Sequence, residues 1–187
     1  MRLEGRLPLL MHNARLADPL DEIAKKIAEV SGKKTKTEAD HQELAHLQWL
    51  GGIYFSHEIG PFVPAPNLLR CLVEGGRFSK HGKQIERGLL LDEIMVPLGY
   101  EGPRDLVNLY TDKQFVHRGS VKISQARVIR TRPQFPRWWL EVAGAFDDAL
   151  LNESHLRTAA EMAGSWVGLG DWRPTYGRFT SKIEMIA

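Results

Sequence analysis

The stretch from Phe115 to Phe146 constrains the fold most, because it reads as strands joined by tight bends. FVHRGSVKI and ARVIRTR alternate β-branched with polar or charged residues, the period of two expected of half-buried strands. WWLEVAGAF follows the bends at Pro133 and Pro136. Strands so close together need helices or further strands to cover one face. The flanking sequence supplies both.

Asp18-Pro19 reads as an N-cap and first helical residue, with Leu20, Ile23, Ala24, Ile27 and Val30 at helical spacing and Gly32 as the stop. Thr37 opens a second helix, with Asp40 three residues on as an acidic form of the capping box. Asn67 caps a short helix through LLRCLVEGG, and Asn152 caps another through Ala163. Residues 6–14 read as a first strand and GIYFS as β-like, whereas the three prolines of GPFVPAP predict an extended loop. Residues 77–88, with Arg77, Lys80, Lys83 and Arg87, predict a loop holding at most one helical turn. LLLDEIMVPL is expected as one strand, GPRDLVNLY as a short helix or turn, and RFTSKIEMI as the last strand.

Setting aside a helical insertion over roughly residues 17–60, the order approximates βαββαβ. The expectation is a single α+β domain over 1–187 with a ferredoxin-like or RRM-like antiparallel sheet, helices on one face and the other face free to bind. At 187 residues and 43% hydrophobic the chain can build a real core. No run approaches the ~18 apolar residues of a membrane span, and the apolar run after Met1 is too short for a signal peptide. A cytoplasmic protein is expected. The lone Cys71 lies in the apolar run LLRCLV, so it reads as a small buried hydrophobe rather than a nucleophile. Neither a P-loop, an HExxH motif nor a GxSxG elbow occurs, and no metal or cofactor is expected.

A formal net charge of only +2 excludes an argument from overall basicity, so the placement of charge matters. From Lys113 to Leu140 there are seven basic residues and no acidic one. Arg118, Lys122, Arg127, Arg130 and Arg132 lie on the two strands, where several cations on one surface suit phosphate. A second feature is the loop GLGDWRPTYGRF. Its glycines permit close backbone approach, and Trp172 and Tyr176 alternate with Arg173 and Arg178, as base stacking with phosphate pairing requires.

That loop ahead of a final strand resembles the glycine-rich C-terminal loop of the RAMP superfamily, the RRM-like backbone subunits of CRISPR effector complexes. PFVPAPNLLRCLVEGG resembles the turn opening that family's first core helix, and PLLMHNARLADPL its first strand and following loop. Pro64-Ala65-Pro66 stands where the family's turn has glycine and serine. The overall pattern also resembles uncharacterised phage and prophage proteins. The resemblance implies an RRM-like fold, binding of single-stranded nucleic acid, and assembly as a homo-oligomer or within a multi-subunit complex.

The expected function is therefore non-catalytic binding of single-stranded nucleic acid, RNA in preference to DNA. Two alternatives accompany it. One is a metal-independent endoribonuclease with His117 or His12 as general base, a chemistry that some RAMP relatives use. The other is a structural or inhibitory module whose basic surface docks an acidic protein.

Overall fold

The computed structural model describes residues 1–123 and 126–186. In chain order the strands are β1 (Arg2–Gly5), β2 (Leu9–Leu10), β3 (Phe55–Ser56), β4 (Gly60–Pro64), β5 (Leu89–Leu91), β6 (Met95–Tyr100), β7 (Val116–Ile123), β8 (Ala126–Phe135), β9 (Trp138–Glu141), β10 (Gly144–Phe146) and β11 (Phe179–Lys182). The α-helices are α1 (Glu22–Gly32), α2 (Glu38–Gly52), α3 (Ala65–Arg77), α4 (Gly82–Gly88), α5 (Leu106–Thr111) and α6 (Glu153–Met162). They build two compact units. The first comprises Met1–Leu9, Phe55–Glu101 and Pro136–Ala187, the second Leu10–Tyr54 and Gly102–Phe135.

The first unit is the ferredoxin-like one. Its sheet has the order β11-β1-β9-β6-β4-β3, and every pairing in it is antiparallel. The central strands and two helices run β1-α3-β6-β9-α6-β11 along the chain, a βαββαβ plan with its last strand beside its first. Leu3, Leu140 and Leu98 stand in one register row and are buried, while the row Glu4, Trp139, Gly99 looks the other way. Trp138 and Trp139 lie over Gly5 and Gly99 of the neighbouring strands, filling the space that those glycines leave. The Trp138 indole N–H also donates to the Leu7 carbonyl at 2.9 Å.

Helices α3 and α6 approach so closely that a Cβ at Gly75 would lie 2.3 Å from the Ala159 carbonyl oxygen and 2.6 Å from the Ala163 nitrogen. Backbone atoms cannot swing away as a side chain can, so Gly75→Ala forces the helices apart. Overpacking of this kind costs about 1–3 kcal/mol. The expected result is a urea midpoint lowered accordingly, with a native-like circular dichroism spectrum before the transition.

The second unit places a helical hairpin, α1 and α2, with a three-stranded sheet of order β2-β8-β7. The Thr37–Asp40 capping box forms as expected at the start of α2. Lys33 and the Thr37 backbone and hydroxyl groups hold the Asp40 carboxyl well below the ordinary carboxylate range. On the buried side of α2, Gln48 Oε1 accepts the Thr131 N–H at 2.9 Å, and the Trp49 indole N–H donates to the Phe115 carbonyl at 2.9 Å. These two bonds anchor α2 to the sheet and to the turn that enters β7.

Several boundaries differ from expectation. The first strand is Arg2–Gly5 and not 6–14, since β1 is held by β9 and β11 on its two sides rather than by an apolar run. Helix α1 is capped by Asp21, whose Oδ1 accepts from Ile23 and Ala24 N–H, while Asp18 Oδ1 accepts from Leu20 N–H in the turn before it. Helix α3 begins at Ala65 after Pro64, ahead of Asn67. GPFVP is strand β4 in spite of its prolines. Residues 82–88 form α4, because Gly82 lets the helix press against Val73 and Arg77 of α3. LLLDEIMVPL breaks into β5 and β6, which belong to different sheets.

Candidate nucleic-acid interface

The cations that the sequence singles out lie mainly in the second unit. That unit carries 13 Lys/Arg against nine Asp/Glu, while the first carries 12 against 14. The net +2 of the chain is thus an excess of positive charge in one unit, partly cancelled by a negative balance in the other.

Within the second unit the strand register sorts the basic residues. Directly opposed pairs in β7 and β8 are His117–Arg132, Arg118–Thr131, Gly119–Arg130, Ser120–Ile129, Val121–Val128 and Lys122–Arg127. Side chains of opposed residues share a face, and successive residues alternate. Arg130, Arg132 and His117 therefore share a face with Val121 and Val128, whereas Arg118, Lys122 and Arg127 share the other with Ile129. The five cations do not project from one surface; the pleat divides them two and three.

The outer of these faces is exposed at Arg118, Ser120, Lys122, Arg127 and Ile129. Lys122 and Arg127 sit directly across from each other, an arrangement that destabilises a sheet unless an anion joins it. Among the described residues no carboxylate forms an ion pair with Arg118, Lys122, Arg127 or Arg130. Other cations do find acidic partners, such as Arg15 with Asp21 and Lys33 with Asp40.

The inner face looks into a cleft of about 520 Å³ within the second unit, lined by Arg130 and Arg132 together with His12, Gln48 and residues of α1. The cleft brings His12, one of the two expected histidines, together with two of the expected arginines. His117 stands opposite Arg132 on the same hairpin face. No Asp or Glu lines the cleft.

The glycine-rich loop belongs to the first unit and is tied down from within it. Leu169 N–H donates to Gly177 O and Gly177 N–H to Pro8 O. Gly177 has φ +71°, and a Cβ there would lie 1.7 Å from the Leu169 carbonyl oxygen, so only glycine fits. Trp172 and Tyr176 stack on each other, with centroids 5.8 Å apart and planes 9° from parallel. Arg173 pairs with Glu74 of α3 at 3.2 Å, and Arg178 Nε donates to the Pro174 carbonyl at 2.9 Å. The loop's aromatics and cations are engaged with the unit itself. Beneath it the Cys71 thiol donates to Gly168 O at 3.2 Å, and burial pushes its pKa up to about 12, which leaves an inert thiol.

The open face of the ferredoxin-like sheet carries balanced charge. Arg2 pairs with both Glu4 and Glu141, and Lys182 pairs with Glu184. It offers no excess of cations for phosphate. Comparison with protein-family models, curated proteins and solved structures finds no match.

Sequence reasoning missed Phe78 and Trp166, which touch edge to face at 5.0 Å and are each 56% exposed. It also missed the stacked pair His81 and His155, 3.7 Å apart. Both pairs join residues more than 70 positions apart, and no local pattern signals them. Among the described residues, no group of three or more His, Cys, Asp or Glu is arranged to hold a metal ion, and no helix is long and apolar enough to cross a membrane.

Proposed function

We propose that this protein binds single-stranded nucleic acid through phosphate contacts on the β7–β8 hairpin, without cleaving it. The observation that carries the reading is the exposed hairpin face on which Lys122 opposes Arg127 beside Arg118, with no carboxylate partner among the described residues. Phosphates spaced along a strand relieve that repulsion, and arginine bonds them bidentately. Exposed Ile129 on the same face offers an apolar contact for a base, which a duplex would keep stacked. The preference for RNA, side-by-side assembly and membership of the RAMP superfamily rest on the motif resemblance. The βαββαβ order of the first unit agrees with it. A cytoplasmic location is part of the same proposal.

Fluorescence anisotropy with a labelled single-stranded 15-mer tests the reading. Each neutralised phosphate on a single strand contributes about −0.7 to the slope of log K against log salt, so three contacts predict a slope of about −2. Failure to bind RNA or DNA at low salt would end the proposal.

One observation favours a second reading. His12 shares its cleft with Arg130 and Arg132, so a base and groups able to stabilise a transition-state anion stand together, as a metal-independent endoribonuclease needs. Cleavage of labelled RNA in EDTA that disappears in His12→Ala supports it; intact RNA after prolonged incubation rules it out.

A further inference from the structure

We propose that the turn between α3 and α4, together with Trp166, is a base-stacking site at which the first unit holds one nucleotide of a single strand. The proposal rests on the reading that the chain binds single-stranded nucleic acid, and it does not depend on the hairpin.

Phe78 ends α3, and Trp166 lies in the turn Ala163–Val167 that continues α6. Each ring is 56% exposed, with centroids 5.0 Å apart and planes 81° from parallel. Two rings at nearly a right angle form a corner, where a flat partner stacks on one and meets the edge of the other. The turn that carries Phe78 is fixed by its own backbone. The N–H groups of Phe78, Ser79, Lys80 and His81 donate to the Gly75, Gly76, Arg77 and Gly76 carbonyls at 2.8–3.2 Å. Gly82 then brings the start of α4 against the Arg77 side chain, where a Cβ would lie 2.7 Å from Arg77 Cγ. Groups held in place before binding lose little entropy when a ligand arrives.

The charge beside the rings is nearly of one sign. Residues 77–88 hold Arg77, Lys80, Lys83 and Arg87 against Glu86 alone, four of the 12 cations of a unit in which acid groups outnumber bases. All four are exposed. Arg70, Arg157 and Arg173 of the same unit pair with Glu74 or Glu153, whereas among the described residues none of these four forms an ion pair.

Exposed rings beside cations fit an anion that carries a flat apolar body. A protein partner needs a larger surface, ~800 Å² on each side with a little over half of it apolar. Aromatic side chains bury about 150–250 Å² each, so at 56% exposure this pair offers at most about 280 Å². That is too little for the core of a protein interface and enough for one base. The phosphates beside that base meet Arg77 and Lys80, the cations that flank Phe78 in the turn.

Fluorescence anisotropy of the full chain with a labelled uridine 15-mer and an abasic 15-mer tests this. Phe78→Ala/Trp166→Ala should bind the uridine strand at least tenfold more weakly, with the salt slope unchanged because stacking displaces no counterions. The abasic strand should bind wild type and this variant alike. Trp166 emission, read as the difference between wild type and Trp166→Leu, should be quenched by the uridine strand and not by the abasic one. Unaltered affinity in the double variant overturns the proposal. An equal loss for both strands does so too, since a general disturbance of the fold and not stacking would explain it. If the double variant binds as wild type while Lys122→Glu/Arg127→Glu weakens binding, this site is wrong and the hairpin reading stands. The reverse pattern keeps this site and removes the hairpin. If neither strand binds at low salt, both fall.

Discussion

Replacing Lys122 and Arg127 together by glutamate should lower the affinity for a single-stranded 15-mer by roughly a hundredfold. Each lost charge-assisted phosphate contact is worth about 1.5 kcal/mol, and about 3 kcal/mol is a little over two decades of affinity. The slope of log K against log salt should flatten by about 1.4, because two phosphates are no longer neutralised. Stability is not expected to move much, since one directly opposed like-charge pair is exchanged for another at exposed positions. The single change Lys122→Glu is informative in the opposite sense. It sets a carboxylate across from Arg127, so the fold should hold or gain slightly while binding falls. An affinity unaffected by the double reversal would remove the outer hairpin face from the interface.

The largest stability effect is expected from Trp49→Ala. Trp49 is fully buried in α2, its indole N–H donates to the Phe115 carbonyl at 2.9 Å, and its ring meets the edge of Tyr110 at 5.4 Å. Truncating a buried tryptophan typically costs about 3–5 kcal/mol, and here the Phe115 carbonyl also loses its donor. Trp49→Phe keeps most of the volume and loses the hydrogen bond, so it should cost about 1–2 kcal/mol. Urea unfolding of the three proteins checks the order wild type, Trp49→Phe, Trp49→Ala. Because Trp49 ties α2 to the entry of β7, the alanine variant should also weaken the protection of β7 and β8 amides against hydrogen exchange. Equal midpoints for all three would mean that this contact does not hold the second unit together.

Strands β7 and β8 and the caps Thr37, Asp40 and Asn152 were legible in the sequence, because each is set by residues within a few positions of one another. A strand face is declared by period-two alternation and a helix start by one side chain reaching the next turn's N–H groups. Period-two alternation by itself places Arg130 with Arg132 on one face of its strand and Arg118 with Lys122 on one face of theirs, in agreement with the register. It could not say that the two sets oppose each other, because that depends on which residue of β7 meets which of β8. Nor could it find α4, where buried glycines override a weak helical pattern through contact with α3.

What the tertiary structure alone decided is where the charge goes and which cations keep their freedom. A chain of net +2 looks nearly neutral until it separates into a unit with 13 cations against nine anions and another with 12 against 14. The arginines of the glycine-rich loop look as available in sequence as those of the hairpin, yet Arg173 is met by Glu74, 99 positions away. Arg118, Lys122 and Arg127 meet no such carboxylate among the described residues. Ion pairing depends on distances of a few ångströms between groups far apart along the chain, and only the folded backbone sets those distances.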